Sequence, residues 1–228
     1  MKWLGFDQIR KQDDEPKNSK ILEEDIQIEL ENGLLIIECK GIGGTSTDSD
    51  CSQISKIKHR RCKDRNRFDV YALYIVNHQR YLPPLHRANP PFSDIQIQEA
   101  ENDERGLLST WQLFNLYHDI EAGILSKAEV RKMFLAYGLV TFRPLDLILV
   151  DEPKEFFKDG RVCIVTLSNI EIKLGDEVLI ERDGQFERMM IEGIQLNDNP
   201  VTSVTNGEVG ISLNNSIRKK SKIWLRSS

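Results

Sequence analysis

Three residues in the stretch DIQIELENGLLIIECKG have types and spacing suited to chemistry: Asp25, Glu38 and Lys40. Two carboxylates brought close together repel, and a divalent cation or a raised pKa relieves that repulsion. A lysine beside them offsets part of it. Such a group can hold Mg²⁺, position a water and stabilise charge on a phosphate under attack. The alternative is a solvated strand carrying an Asp25 to Lys40 ion pair, and surface pairs of that kind contribute little.

The three residues meet only if the stretch folds as a hairpin. Asn32-Gly33 between two apolar runs is a strong signal for a two-residue type I′ loop. The register set by that loop places Asp25 opposite Lys40 and Gln27 opposite Glu38. Directly opposed residues share a face of a sheet, so Asp25, Gln27, Glu38 and Lys40 converge on one side. Ile26, Ile28, Ile37 and Cys39 are then expected to face the core.

The elements around the hairpin form an α/β pattern. A glycine-serine turn leads into a basic helix beginning near Asp50, and VYALYIVN reads as a strand buried on both faces. Ser93 to Gln96, Ser109 to Gln112 and Ser126 to Glu129 each have the spacing of a helix capping box. Trp111, Phe114 and Tyr117, then Val130, Met133 and Phe134, follow helical periodicity behind the last two boxes, and GLLST reads as a short buried strand. Past Arg143-Pro144 that periodicity gives way to short strands with turns at Lys158-Asp159-Gly160, Gly175-Asp176, Asp183-Gly184 and Asn206-Gly207. The expected organisation is a domain over residues 1–144, with a mixed central sheet flanked by helices, and a small all-β barrel over residues 145–228.

The net charge of −5 argues against indiscriminate coating of nucleic acid. The segment SKIKHRRCKDRNR nevertheless concentrates Lys56, Lys58, Arg60 and Arg61 with Lys63, Arg65 and Arg67 against one acid, Asp64. A phosphate-facing helix is therefore expected. No apolar run approaches the length of a membrane span, and the opening MKWLGFDQIRKQDDEPKNSK lacks the apolar centre of a secretory signal, so a cytoplasmic protein without a membrane partner is expected. The four cysteines suit reduced thiols there. Cys51 and Cys62 on one helix stand ~16 Å apart at ~1.5 Å per residue, too far to share a zinc with His59. His78 and Arg80, after the central strand, read as packing for the loop around Pro83 and Pro84.

Asp25, the run IIECKG with Glu38-x-Lys40, the following helix with Gln53, and VYALYIVN together resemble the PD-(D/E)xK nuclease core of restriction-endonuclease-like proteins. The resemblance spans roughly residues 4 to 125 and takes in VNHQRYLPP and LLSTWQLF. It implies that Asp25 and Glu38 bind Mg²⁺ or Mn²⁺, that Lys40 orients or activates the attacking water, and that Gln53 supports the site. It further implies a metal-dependent nuclease acting on nucleic acid, DNA foremost, with a homodimer compatible with that class. The chain departs from the family in its opening: MKWLGF is too short for the helix that normally begins the core. The rival expectation is a binding module for nucleic acid or protein that retains the nuclease scaffold without catalysis.

Residues 155 to 226 are similar to domain II of the translational GTPases, through the Gly175-Asp176 turn, IEGIQLNDNPV and GEVGISL. That likeness implies a barrel that contacts RNA or a protein partner, in a chain with no GxxxxGK phosphate loop. The cluster Arg218, Lys219, Lys220 and Lys222 reads as a solvated loop.

Overall fold

The computed structural model describes residues 1–11, 23–182 and 185–227. The chain divides into two compact units, one of residues 1–120 and 125–143, the other of residues 121–124 and 144–228.

The first unit is built on a six-stranded mixed sheet in which every strand pairs with its neighbour in the chain. β1 (Ile9–Lys11), β2 (Ile26–Leu30) and β3 (Gly33–Gly41) are antiparallel, and β4 (Val70–Asn77), β5 (Arg105–Ser109) and β6 (Gly138–Leu139) continue parallel to β3. Parallel strands need long crossovers. These are supplied by α1 (Asp48–Arg65) and α2 (Asp94–Asn102), then α3 (Thr110–Glu121) and α4 (Lys127–Met133). β4 is apolar along its length because both its faces are covered, and Ala72 to Val76 are all buried.

The capping boxes at Ser93, Ser109 and Ser126 all form, and a fourth, Thr47 with Asp50, starts α1. Cys51, Ile54 and Ile57 pack that helix onto Leu34, Ile36, Ala72 and Tyr74 of the sheet. Residues 2–4 form a single 3-10 turn.

Two expectations need correction. The hairpin loop is Glu31-Asn32, neither of which has a positive φ, so the turn is not type I′. Gly33 belongs to β3 at φ 151, paired with Leu30, and a Cβ on it would lie 2.3 Å from the Asp69 carbonyl. Its glycine therefore answers a close approach of the chain entering β4, which the hairpin sequence cannot reveal. The register moves by two residues: Ile26 pairs with Ile37 and Gln27 with Ile36. Because side chains alternate with period two, that shift leaves the shared face of Asp25, Gln27, Glu38 and Lys40 intact.

Cys39 is the second correction, being exposed where a core position was expected. The regular ladder of β2 begins at Ile26, so β3 runs past it at Cys39. In α3, which forms where its helical spacing indicates, Phe114 and Tyr117 are 53% and 46% exposed. The aromatic stripe stacks on itself, Trp111 on Phe114 at 5.3 Å, and Leu116 is the buried residue of the helix.

The second unit is antiparallel throughout. Its main sheet runs in the order β7 (Leu147–Asp151), β16 (Lys222–Arg226), β11 (Glu177–Arg182), β12 (Gln185–Leu196), β15 (Gly207–Leu213), β9 (Val162–Leu167), β8 (Phe156–Phe157), with β13 (Asn199–Val201) on β12. β10 (Ile172–Lys173) and β14 (Ser203–Val204) form a separate pair. Alternate residues such as Cys163 and Val165, Met189 and Ile191, and Val209 and Ile211 fill one core, as the period of a curled sheet demands. A bulge between Ile191 and Gly193 interrupts β12 where it pairs with β15. The Asp183-Gly184 turn lies outside the described residues.

Candidate functional site

The site is assembled where β3 passes under the first turns of α1. Glu38 extends from β3 and is only 7% exposed. Its Oε1 accepts a hydrogen bond from Gln53 Nε2 at 2.9 Å, whereas its Oε2 is buried with no hydrogen-bond partner. An ionised carboxylate in that condition is costly, and the environment answers by holding its proton. Burial above all, then the neighbouring charge of Asp25, pushes the Glu38 carboxyl up to about 7, against the pull of Lys40.

Asp25 sits at a bend just before β2, exposed, and its Oδ2 accepts from the Cys39 amide at 2.7 Å. That bond fixes the Asp25 carboxylate beside the residue that follows Glu38. Lys40, two residues on, returns to the same face. Its Nζ donates to Gln53 Oε1 at 2.7 Å and to Asp50 Oδ1 at 3.0 Å. Gln53 thus bridges the carboxylate and the ammonium, orienting both through one amide. Behind them Tyr74, fully buried on β4 beside Glu38, bonds Ser46 and closes the floor.

The four residues Asp25, Glu38, Lys40 and Gln53 therefore come together. Asp50 joins them unforeseen. The signal for it was present, since Asp50 is the third helical residue of the Thr47 capping box and Gln53 stands one turn beyond on the same face. Its other oxygen caps the helix through Thr47, and that hydroxyl's hydrogen bond chiefly holds the Asp50 carboxyl below its usual range.

Among the described residues no three His, Cys, Asp or Glu side chains are grouped to hold a metal ion. Among those residues there is thus no dedicated cage of the zinc or calcium kind. Two carboxylates, one with a buried oxygen lacking a partner, fit the lighter requirement of Mg²⁺, which keeps several waters and takes one or two protein carboxylates plus substrate phosphate.

The basic helix carries a different message from the one its composition suggests. Arg61 donates to both oxygens of Glu24 at 2.8 and 3.0 Å, and Arg60 lies 3.7 Å from the same carboxylate. Lys58 is held by Glu104 at 3.0 Å, Arg65 by Glu29 at 2.8 Å and Arg67 by Asp69 at 2.8 Å. Of Lys56, Lys58, Arg60 and Arg61, Lys56 alone makes no ion pair among the described residues. Much of the helix's charge ties α1 to the sheet. Glu24, 0% exposed, is the anchor of that tie, and Asp25 beside it is left to the site.

Neither a protein-family model nor a curated protein sequence matches the chain. Solved structures with partial likeness include the translation elongation factor SelB of Methanococcus maripaludis, at 9% identity and a TM-score of 0.29 over 97% of this chain and 51% of that one. A bacterial selenocysteine-specific elongation factor, EF-Sec, is similar at 15% identity and a TM-score of 0.28, over 68% of this chain and 26% of its own. The C-terminal domain of a Geobacillus thermoleovorans protein classed with the U32 peptidases is similar at 16% identity and a TM-score of 0.27, over 37% of this chain and all of that domain. The chain spans about half the length of SelB, and at these TM-scores the functional reading rests on the residues themselves.

Proposed function

We propose that the first unit is a metal-dependent nuclease hydrolysing phosphodiester bonds, with DNA as the foremost substrate. The observation that carries this reading is Glu38: a buried carboxylate with one oxygen unpartnered, its proton held by burial and by Asp25, with an ammonium fixed alongside. Asp25 and Glu38 would hold Mg²⁺ or Mn²⁺, which when bound would lower the pKa of a water and offset charge on the scissile phosphate. The chain's own groups do the rest. The Cys39 amide aims Asp25, the Gln53 amide aims Glu38, and Tyr74 with Ile36 keeps bulk water from the floor. Lys40, steadied by Gln53 and Asp50, places a cation where it can orient a water and favour the charge that builds on phosphate.

A second reading has an observation of its own. The Lys40 ammonium is already engaged by Asp50 and Gln53, and the α1 cations by sheet acids, as in a scaffold that binds without cutting. Here the second unit, similar in its turns to domain II of translational GTPases, would recruit the partner.

Incubating the purified chain with plasmid, linear and single-stranded DNA and with RNA, in Mg²⁺, Mn²⁺ or EDTA, separates the two. Cleavage dependent on the metal is expected. Lys40→Ala should lower turnover by about 10²-fold while leaving affinity for uncut DNA near wild type, since only interactions that strengthen in the transition state accelerate chemistry. If wild type cuts nothing with either metal, or Lys40→Ala cuts as fast, the scaffold reading replaces the nuclease.

A further inference from the structure

The loop between β4 and α2 presents an aromatic and basic knob that the metal site does not use. Its sequence, HQRYLPPLHRANPPF over residues 78–92, contains Arg80, His86 and Arg87 and no acidic residue. Tyr81 is 75% and Leu85 83% exposed. Large apolar groups gathered in water on one loop mark a contact surface.

The loop is nevertheless firmly built. His78, 2% exposed, is joined through Nε2 to the Ala88 carbonyl at 2.7 Å, and Gln79 Oε1 accepts from the Ala88 amide at 2.7 Å. Arg87 donates to the Leu82 carbonyl at 2.9 Å and to Asn77 Oδ1 at 2.7 Å. These bonds hold the exposed side chains outward before any ligand arrives, which lowers the ordering cost of binding.

Charge and position then narrow the ligand. Arg80 donates to the Gly41 carbonyl at 3.1 Å and to Tyr81 Oη at 2.7 Å, and Arg87 likewise meets only neutral acceptors. Among the described residues both guanidinium groups meet no carboxylate, in contrast to Arg61 and Arg65 of α1. The Arg80 amide also bonds the Ile42 carbonyl at 3.0 Å and the Gln79 amide the Gly44 carbonyl at 2.9 Å, so the knob lies on the residues that directly follow Lys40. Gly43 leaves room for the ring, since a Cβ there would stand 3.1 Å from Tyr81. The Arg80 guanidinium lies 4.9 Å from the Tyr81 ring centroid, setting a planar cation beside an exposed aromatic.

We propose that this loop receives a polynucleotide strand with unpaired bases, one base stacking on Tyr81 and the flanking phosphates held by Arg80 and Arg87. An exposed ring takes up a base through its face, which a duplex keeps inside its stack, and arginine supplies both the phosphate contact and a second stacking plane. The inference rests on nucleic acid as the ligand of this unit but not on its being cut.

The test is therefore binding, measured on the full chain in EDTA by anisotropy of labelled oligo-dT, oligo-rU and a duplex, each of about 20 nucleotides or base pairs, longer than one binding site. Single strands should bind more tightly than duplex, and the dT and rU arms tell DNA from RNA. Tyr81→Ala should weaken single-strand binding about 10-fold, and Tyr81→Phe should retain it. Arg80→Ala should reduce the slope of log affinity against log salt by about 0.7. Phe68→Ala, which removes a ring 96% exposed at the opposite end of β4, should change nothing. Single strands bound no better than duplex, or a Tyr81→Ala chain that binds as wild type does, would overturn the proposal. Either result leaves metal-dependent cleavage to its own assay, and a chain that binds without cutting leaves this surface standing.

Discussion

Glu38→Gln should abolish metal-dependent cleavage, remove the response of melting temperature to Mg²⁺, and make the first unit more stable than wild type at pH 8. The three effects share one cause. In the unfolded chain the carboxyl titrates near its ordinary value of 4.5, and in the folded chain burial, then Asp25, holds it up to about 7. A group whose folded pKa is raised contributes stability that is fully present below the unfolded value and is lost as pH rises through the folded one. Wild type should thus be most stable below about pH 4.5 as far as this group is concerned, losing on the order of 3 kcal/mol as pH rises through 7 to 8. Glutamine keeps the shape and the bond to Gln53 but has no charge to bury, so that loss disappears. A cation that binds the ionised carboxylate stabilises the folded state in proportion to RT ln(1 + [L]/Kd). Mg²⁺ should therefore raise the melting temperature of wild type at pH 8, have little effect at pH 5, and leave Glu38→Gln unmoved at both. Calorimetry at the two pH values, with and without Mg²⁺, reads all of this without any turnover. A variant that keeps the wild-type Mg²⁺ response would remove Glu38 from the metal site.

What the sequence discloses about that site, and what it withholds, divides by the range of the interactions. Capping at Ser93, Ser109 and Ser126 is local, and so is the apolar run of β4, and each of these elements forms where its residues indicate. The shared face of Asp25, Glu38 and Lys40 is legible for a related reason, because strand alternation survives a register shift of two. The register itself is not legible, since Gly33 is required by the Asp69 carbonyl, a contact across the sheet. The partner of Glu24 is likewise hidden in the sequence, being Arg61 of α1, 37 residues on. Helical spacing located α3 but could not say which side of it is covered, and its aromatic stripe remains half exposed.

Arg61→Glu should melt the first unit well below wild type, and the reason recasts what a basic helix means here. Glu24 is 0% exposed, and both its oxygens are satisfied by the Arg61 guanidinium. Removing Arg61 takes both hydrogen bonds from the buried carboxylate and leaves only Arg60, 3.7 Å away, to offset its charge, at a cost of up to about 3 to 5 kcal/mol, and reversal adds a second carboxylate beside it. The pair itself is not expected to be that stabilising, because desolvating two charges offsets most of their attraction. Glu24→Leu combined with Arg61→Met should accordingly melt close to wild type. Thermal unfolding of the singles and the double variant completes the cycle, and an Arg61→Glu chain as stable as wild type would show that the guanidinium is not the anchor. It follows that a loss of DNA affinity on reversing Arg60 and Arg61 reports the docking of α1, whatever the helix does with phosphate. Lys56, exposed and without an ion pair among the described residues, is the position on that helix where reversal tests phosphate contact cleanly. Lys56→Glu should leave melting unchanged and, if α1 meets the backbone there, lower the salt slope by about one. An unchanged slope would remove Lys56 from the nucleic-acid surface and favour the strand ends, where among the described residues Arg80 and Arg87 meet only neutral acceptors.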